Sequence, residues 1–75
     1  MEDSEKPKIT GYRQLTDVEL GAINDIKQLG VELGVLTEKL RTIEGVDQRW
    51  ISIGVTDLQK GLMALTRAVA RPTTF

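Results

Sequence analysis

Two runs of apolar residues, spaced alternately four and three positions apart, constrain the fold of this 75-residue chain most strongly. Such spacing places the members of each run on one face of an α-helix, and it is typical of helices that pack along a seam. The sequence therefore predicts two amphipathic helices. The first run is Ala22, Ile26, Leu29, Leu33, Leu36, Leu40 and Ile43, and the second is Ile51, Val55, Leu58, Leu62, Leu65 and Val69.

Local signals predict where these helices begin and end. Thr16 and Glu19 form the S/T-x-x-E pattern of a capping box, in which each side chain accepts from the other residue's backbone N–H. Gly45 is a plausible C-cap of the first helix, Asp47 an N-cap of the second, and Pro72 ends it. Because the predicted loop is short, we expect an all-α helical hairpin.

The second helix has an alternative start. Thr56 and Gln59 also fit a capping box, so residues 47–55 could form a separate helical turn, although a continuous helix is favoured. Before the hairpin, "MEDSEKPKITGYRQ" contains Pro7 and Gly11 and lacks periodicity. We therefore expect a flexible N-terminal arm over residues 1–14 and a helical-hairpin domain for oligomerisation and ligand binding over residues 15–75.

A chain of this size is marginally stable alone, and self-association is one common remedy. Disulfides and histidine- or cysteine-bound metals are excluded, since the chain has neither residue. Several apolar residues fall outside the two seams, and we expect them to contact other copies in a homo-oligomer. They are Ile23, Val31, Trp50, Ile53 and Met63.

Composition argues against several classes of function. Most acid–base and nucleophilic sites use His or Cys, and no nucleotide-binding loop motif is present, so we expect neither an enzyme nor a cofactor or metal site. A net charge of −1 without a basic block disfavours binding to a DNA or RNA duplex. No apolar run is long enough to span a membrane, and the polar N-terminus differs from a signal peptide, which predicts a soluble, intracellular protein without a membrane partner.

Glycines interrupt both predicted helices, although each costs about 1 kcal/mol relative to alanine in a helix interior. Small residues allow two helix backbones to approach closely, or a ligand to lie against a backbone. Close helix contact is the favoured interpretation. Lys27, on the face of Gly30 and Gly34, keeps the ligand interpretation open. The interrupting glycines are Gly21, Gly30, Gly34, Gly54 and Gly61.

Tyr12 and Lys27 form one candidate site for a ligand that carries a phosphate and a purine base. An aromatic ring stacks on a base, and a lysine meets phosphate as a compact point charge. The alternative is that Tyr12 packs on a neighbouring core and that Lys27 is an ordinary solvated residue.

A second basic face holds Lys60, Arg67 and Arg71. Cations near a helix C-terminus complement the helix dipole, so a purely structural role is favoured here. Arg67, which follows Thr66 in the small apolar segment "ALTRAVA", could instead meet its symmetry mates. Such like charges would repel one another unless an anion lay between them.

A family resemblance rests on Tyr12 in the arm and on three segments of the hairpin. They are "INDIKQLG", "DQRWISIG" and "TDLQKGLMALTRAVARP". Together, from about Tyr12 to Phe75, the chain resembles the small phage anti-CBASS proteins of the second type, which are cyclic-oligonucleotide sponges. Its most specific parts are "RW" and "LQKGLMALTRAVARP". The first ten residues do not contribute.

The resemblance implies a compact hexamer, a trimer of dimers, that catalyses nothing. Such a protein would bind the cyclic nucleotide signals of bacterial CBASS defence in the cytoplasm of the infected host. By resemblance, Tyr12 would stack on a base of a cyclic dinucleotide and Lys27 would contact its phosphate, with two protomers each supplying the pair. Thr66 and Arg67 would match a separate site for cyclic trinucleotides, where three protomers converge.

Two other functions compete with this one on sequence grounds. A coiled-coil adaptor or antitoxin-like protein would bind another protein through its exposed stripe. A small nucleic-acid-binding regulator is disfavoured by the charge balance.

Overall fold

The computed structural model describes residues 14–73, which form two antiparallel α-helices and no β-strand. Helix α1 spans Asp17–Arg41 and helix α2 spans Gln48–Ala70. The predicted all-α hairpin is confirmed. Apart from Gln14, the proposed arm lies outside the described residues. Within residues 14–73, neither helix is long and apolar enough to cross a membrane.

The predicted capping box begins α1. The Thr16 N–H donates to Glu19 Oε1 over 2.8 Å, and the Glu19 N–H donates to Thr16 Oγ1 over 3.1 Å. Two backbone donors that the helix leaves without intrahelical acceptors are thereby satisfied. The start of α1 is consequently set by local chemistry.

The end of α1 differs from the prediction. The helix ends at Arg41, and Thr42 rather than Gly45 is its C-cap. The Thr42 N–H and hydroxyl both donate to the Lys39 carbonyl, over 3.1 and 2.7 Å, which closes the helix early. Gly45 instead lies in the loop with a φ of 88°, a conformation that glycine adopts readily. Ile43, the last residue of the predicted seam, is therefore outside the helix.

Helix α2 is continuous, as favoured from the sequence. Asp47 is its N-cap, since one carboxylate oxygen accepts from the Trp50 N–H over 3.1 Å. At the other end Arg71 is the C-cap in the left-handed region (φ 44°, ψ 61°), and its N–H donates to the Arg67 carbonyl over 2.8 Å. A non-glycine residue in this region costs about 1 kcal/mol or more, so other contacts must hold Arg71 there. Pro72 follows immediately.

The face of α1 that packs on α2 agrees with the predicted seam at Ala22, Ile26, Leu33 and Leu40, which are half-buried, and differs at two positions. Gly30 and Thr37 are half-buried, whereas Leu29 and Leu36 are 45% and 47% exposed. The reason is a close approach at Gly30, where an added Cβ would lie 3.4 Å from Leu62 Cδ1. Helix α2 therefore packs over the α1 backbone at this point. On α2 the predicted Ile51, Val55, Leu62 and Val69 are half-buried, whereas Leu58 and Leu65 are exposed and Thr66 is half-buried.

The interrupting glycines divide into two groups. At Gly30 close helix contact, the favoured interpretation, occurs within the hairpin. At the other four positions an added Cβ would meet no side chain or second helix of residues 14–73 within 4 Å.

A single protomer has no buried core in the described part of the chain. No residue between 14 and 73 is buried, and Val35, Trp50 and Met63 are 61–70% exposed. Burial of apolar surface is the main favourable contribution to folding. The hairpin of residues 14–73 therefore leaves much of its apolar surface exposed, and self-association, which would bury that surface, stays a prediction.

Candidate functional site

A groove of about 600 Å³ runs between α1 and the C-terminal half of α2. The antiparallel hairpin places the third and fourth turns of α1 beside the last three turns of α2, and these turns form the walls of the groove. The lining residues are Ile26, Lys27, Gly30, Lys60, Leu62, Met63, Ala64, Thr66, Arg67, Ala70 and Pro72.

Three of the four candidate site residues lie in this one groove. Lys27 comes from α1, and Thr66 and Arg67 come from α2. The sequence assigned Lys27 to a different site from Thr66 and Arg67, but folding brings all three to a single protomer's groove. Tyr12 lies outside the described residues.

Among the described residues, the charged groups that line the groove are all cations. They are Lys27, Lys60 and Arg67, and no carboxylate of residues 14–73 lines it. Between residues 14 and 73, neither Lys27 nor Lys60 forms an ion pair. Because unpaired cations attract anions, Lys27 and Lys60 make this groove suitable for a negatively charged ligand. In the same part of the chain, no group of three or more acidic residues is arranged to hold a metal ion.

Most of the remaining lining is apolar. Ile26, Leu62, Met63, Ala70 and Pro72 provide aliphatic surface, and Gly30 adds bare backbone. Ligand sites often combine an apolar lining with a few convergent polar groups. Cations beside an apolar surface can bind a ligand that has both negatively charged and apolar parts.

Thr66 already uses its hydroxyl proton. Thr66 Oγ1 donates to the Leu62 carbonyl over 2.9 Å, within the same helix. The oxygen can still accept a hydrogen bond, since a hydroxyl has two acceptor lone pairs. In this conformation Thr66 can therefore accept from a ligand, but it cannot donate without losing the bond to Leu62.

The second basic face is divided by the fold. Arg71 donates to Glu19 Oε2 through Nη2 over 3.0 Å and does not line the groove. Lys60 and Arg67 do line it. Arg67 also lies in the last turn of α2, where a cation complements the helix dipole. The structural role and the ligand role of Arg67 are thus compatible.

Lys60 and the Glu19–Arg71 pair are the features that sequence reasoning missed. Lys60 was assigned only to the helix dipole, and Glu19 only to the capping box. The position of Lys60 and the Glu19–Arg71 contact follow from the register of the hairpin. Residues at equal distances from the loop on the two helices become neighbours. The register depends on where the loop begins, and the prediction that Gly45 caps α1 placed the start of the loop too late.

A second hollow, of about 530 Å³, lies on the N-terminal half of α2. Arg49 and Asp57 both line it, so its charges are balanced. The Arg49 guanidinium also lies 5.5 Å from the centre of the Trp50 ring. Of the candidate site residues that the structure describes, Lys27, Thr66 and Arg67, none lines this hollow.

Comparison with known proteins gives two findings. The family described as Acb2/Tad1, hairpin domain, matches residues 6–70. Anti-CBASS protein 2 of Pseudomonas phage JBD67 is 31% identical over an alignment of 104 residues, which covers 93% of this chain and 96% of the relative. Because that alignment is longer than the 75-residue chain, the relative has segments without a counterpart here.

Proposed function

Because this chain belongs to the Acb2/Tad1 hairpin-domain family, we propose that it is a phage-encoded sponge for cyclic oligonucleotides. It binds and sequesters these second messengers in the cytoplasm of an infected bacterium and so inhibits CBASS immunity. The observation that carries the proposal is the groove, where Lys27, Lys60 and Arg67 lie along an apolar wall. The name of the similar phage protein, Anti-CBASS protein 2, supports the same role.

In the proposed dinucleotide site, Lys27 contacts a phosphate and Tyr12 stacks on a base. Lys27 is exposed on the groove and has no ion-pair partner between residues 14 and 73 that would compete with a phosphate. Tyr12 is four residues before the N-cap Thr16, so its Cα lies within about 14 Å of it even in an extended chain. A two-fold ligand between two protomers would use this pair twice.

In the proposed trinucleotide site, three copies of Thr66 and Arg67 converge on one ligand. Arg67 would supply charge to the phosphates, and the free lone pair of Thr66 would accept from the ligand. An anion between three guanidinium groups would remove the repulsion that their convergence otherwise creates.

Both sites need more than one protomer, and we propose a hexamer that is a trimer of dimers. The support is physical. Between residues 14 and 73 nothing is buried in a single chain, and large apolar side chains on both helices remain exposed. Association would bury them, and each added copy would complete a ligand site.

Sequestration requires occupancy rather than turnover, so the protein acts without catalysis. Calorimetric titration with cyclic GMP–AMP and with a cyclic trinucleotide tests the proposal. We expect saturable binding of both, because the groove offers charge for phosphates and apolar surface for bases. Absence of heat, together with an unchanged melting temperature for every cyclic di- and trinucleotide tried, would rule out the sponge.

A protein-interaction adaptor is the second candidate, and one observation favours it. Trp50 and Met63 are 61% and 70% exposed, and another protein could cover them as well as a second copy could. An adaptor would remain monomeric until its partner was added, and it would not bind cyclic nucleotides. Light scattering during the same titration separates the two functions.

A further inference from the structure

Lys60 lines the groove but has no part in the two proposed ligand sites. The residue is exposed on α2 and has no ion-pair partner between residues 14 and 73. The opposite wall of the groove carries a second lysine of the same kind, Lys27 of α1. Two unpaired ammonium groups therefore line one groove from two helices.

The register of the hairpin places these two lysines close together. Gly30 and Leu62 meet where the helices pack, since an added Cβ at Gly30 would lie 3.4 Å from Leu62 Cδ1. Because the helices are antiparallel, Lys27, three residues before Gly30, is level with about residue 65 of α2. About five residues, or roughly 7.5 Å along the axis, therefore separate Lys27 from Lys60. Each ammonium group ends a flexible four-carbon stem, so both can converge on one phosphate group.

Two carboxylates could have neutralised Lys60. Asp57 lies three positions earlier on α2, a spacing at which side chains can pair, but it lines the second hollow instead of the groove. Glu32 of α1 is level with Lys60 by the same register, and it accepts from Gln28 Nε2 over 3.4 Å. Lys60 forms no ion pair with either carboxylate. Its charge is therefore available to a ligand.

We propose that Lys60 is a further phosphate contact of the dinucleotide site, which approaches from α2 the phosphate that Lys27 approaches from α1. The inference rests on the proposed function. Lys60 is assigned to this site because Arg67, the cation of the other site, lies seven residues further along α2, or about 10 Å. A phosphodiester has two non-bridging oxygens, so it can accept from both ammonium groups at once. A two-fold ligand between two protomers would use Lys60 twice.

Substitution of Lys60 tests the contact in the full-length protein. Lys60→Gln removes the charge and keeps a residue with good helix propensity. Calorimetry with cyclic GMP–AMP should show affinity about tenfold weaker, because an exposed charge pair contributes modestly and the ligand would lose two of them. Lys60→Arg should bind within about threefold of the wild type, since a guanidinium also donates to phosphate. Lys39→Gln, the same change at an exposed lysine outside the groove, is the control and should bind within about twofold.

Three measurements separate a ligand contact from a structural role. In about 0.5 M salt the loss caused by Lys60→Gln should shrink to about threefold or less, because salt screens exposed charges. The NMR signal of the Lys60 Hε and Cε atoms should shift when cyclic GMP–AMP is added to the wild type, and that of Lys39 should stay in place. Without ligand, the melting temperature and oligomer mass of each variant should match those of the wild type.

The possible failures are distinct. If the wild type binds no cyclic di- or trinucleotide, the proposed function fails together with this inference. If the wild type binds cyclic GMP–AMP and Lys60→Gln binds it as tightly, this inference alone is overturned. Equal weakening in Lys39→Gln, or a loss that is unchanged in high salt, would also overturn it. So would a Lys60→Gln variant that binds only the trinucleotide more weakly, or one whose melting temperature falls in step with its affinity.

Discussion

Replacement of Lys27 by alanine is expected to abolish binding of cyclic dinucleotides. A hydrogen bond to a charged group contributes about 1.5–3 kcal/mol, and a ligand held by two protomers would lose it twice. Affinity should therefore fall by about a hundredfold or more. Tyr12→Ala should have a similar effect, since stacking contributes about 1–3 kcal/mol per base. Calorimetric titration with cyclic GMP–AMP measures both losses.

Lys39→Ala is the matched control for the lysine. Lys39 is also an exposed lysine of α1, but it lies in the last turn and does not line the groove. It should bind cyclic GMP–AMP within about twofold of the wild type, because distant exposed charges are largely screened. Oligomer mass by light scattering should be the same in all three variants. Equal losses in Lys39→Ala and Lys27→Ala would mean that overall charge, rather than a site, attracts the ligand.

Replacement of Arg67 by alanine is expected to remove trinucleotide binding and to leave dinucleotide binding intact. Three protomers would each lose a charge-assisted contact, so the loss should reach about a thousandfold. Arg49→Ala is the control, because Arg49 belongs to the same helix but lies outside the groove. Parallel titrations with a cyclic di- and a cyclic trinucleotide give both affinities.

The Arg67→Ala variant also shows whether the cyclic di- and trinucleotides share one binding site or occupy two. Lys27, Thr66 and Arg67 line a single groove of one protomer, although the family resemblance assigns them to separate ligands. If Arg67→Ala loses both ligands while Arg49→Ala loses neither, the two ligands share this groove. Loss of the trinucleotide alone would mean that assembly divides the groove into two sites.

The helix starts were predictable from the sequence because their causes are local. Thr16 and Glu19 form the capping box from residues three positions apart, and Asp47 caps α2 over the same separation. The seam of α1 was predicted correctly at four positions and wrongly at Leu29 and Leu36, because the exact orientation of a helix depends on its tertiary contacts. Leu62 packs at Gly30, which turns Gly30 and Thr37 toward α2 in place of the larger Leu29 and Leu36.

The candidate site was only partly predictable for the same reason. Residue type identified Lys27 and Arg67 as possible anion contacts, but their common groove depends on how the two helices pair. The Glu19–Arg71 contact joins residues 52 positions apart, and no local pattern indicates it. Tyr12 lies outside the described residues, so its role stays a prediction.

The central claim is that the protein holds its ligand without changing it, and recovery of the ligand tests this most directly. The purified protein is incubated with cyclic GMP–AMP, separated from free nucleotide and digested with a protease, and the released nucleotide is analysed by chromatography. We predict intact cyclic GMP–AMP, at one molecule for two protomers. Recovery of a linear or otherwise cleaved product, or of no nucleotide in the protein fraction, would contradict the account.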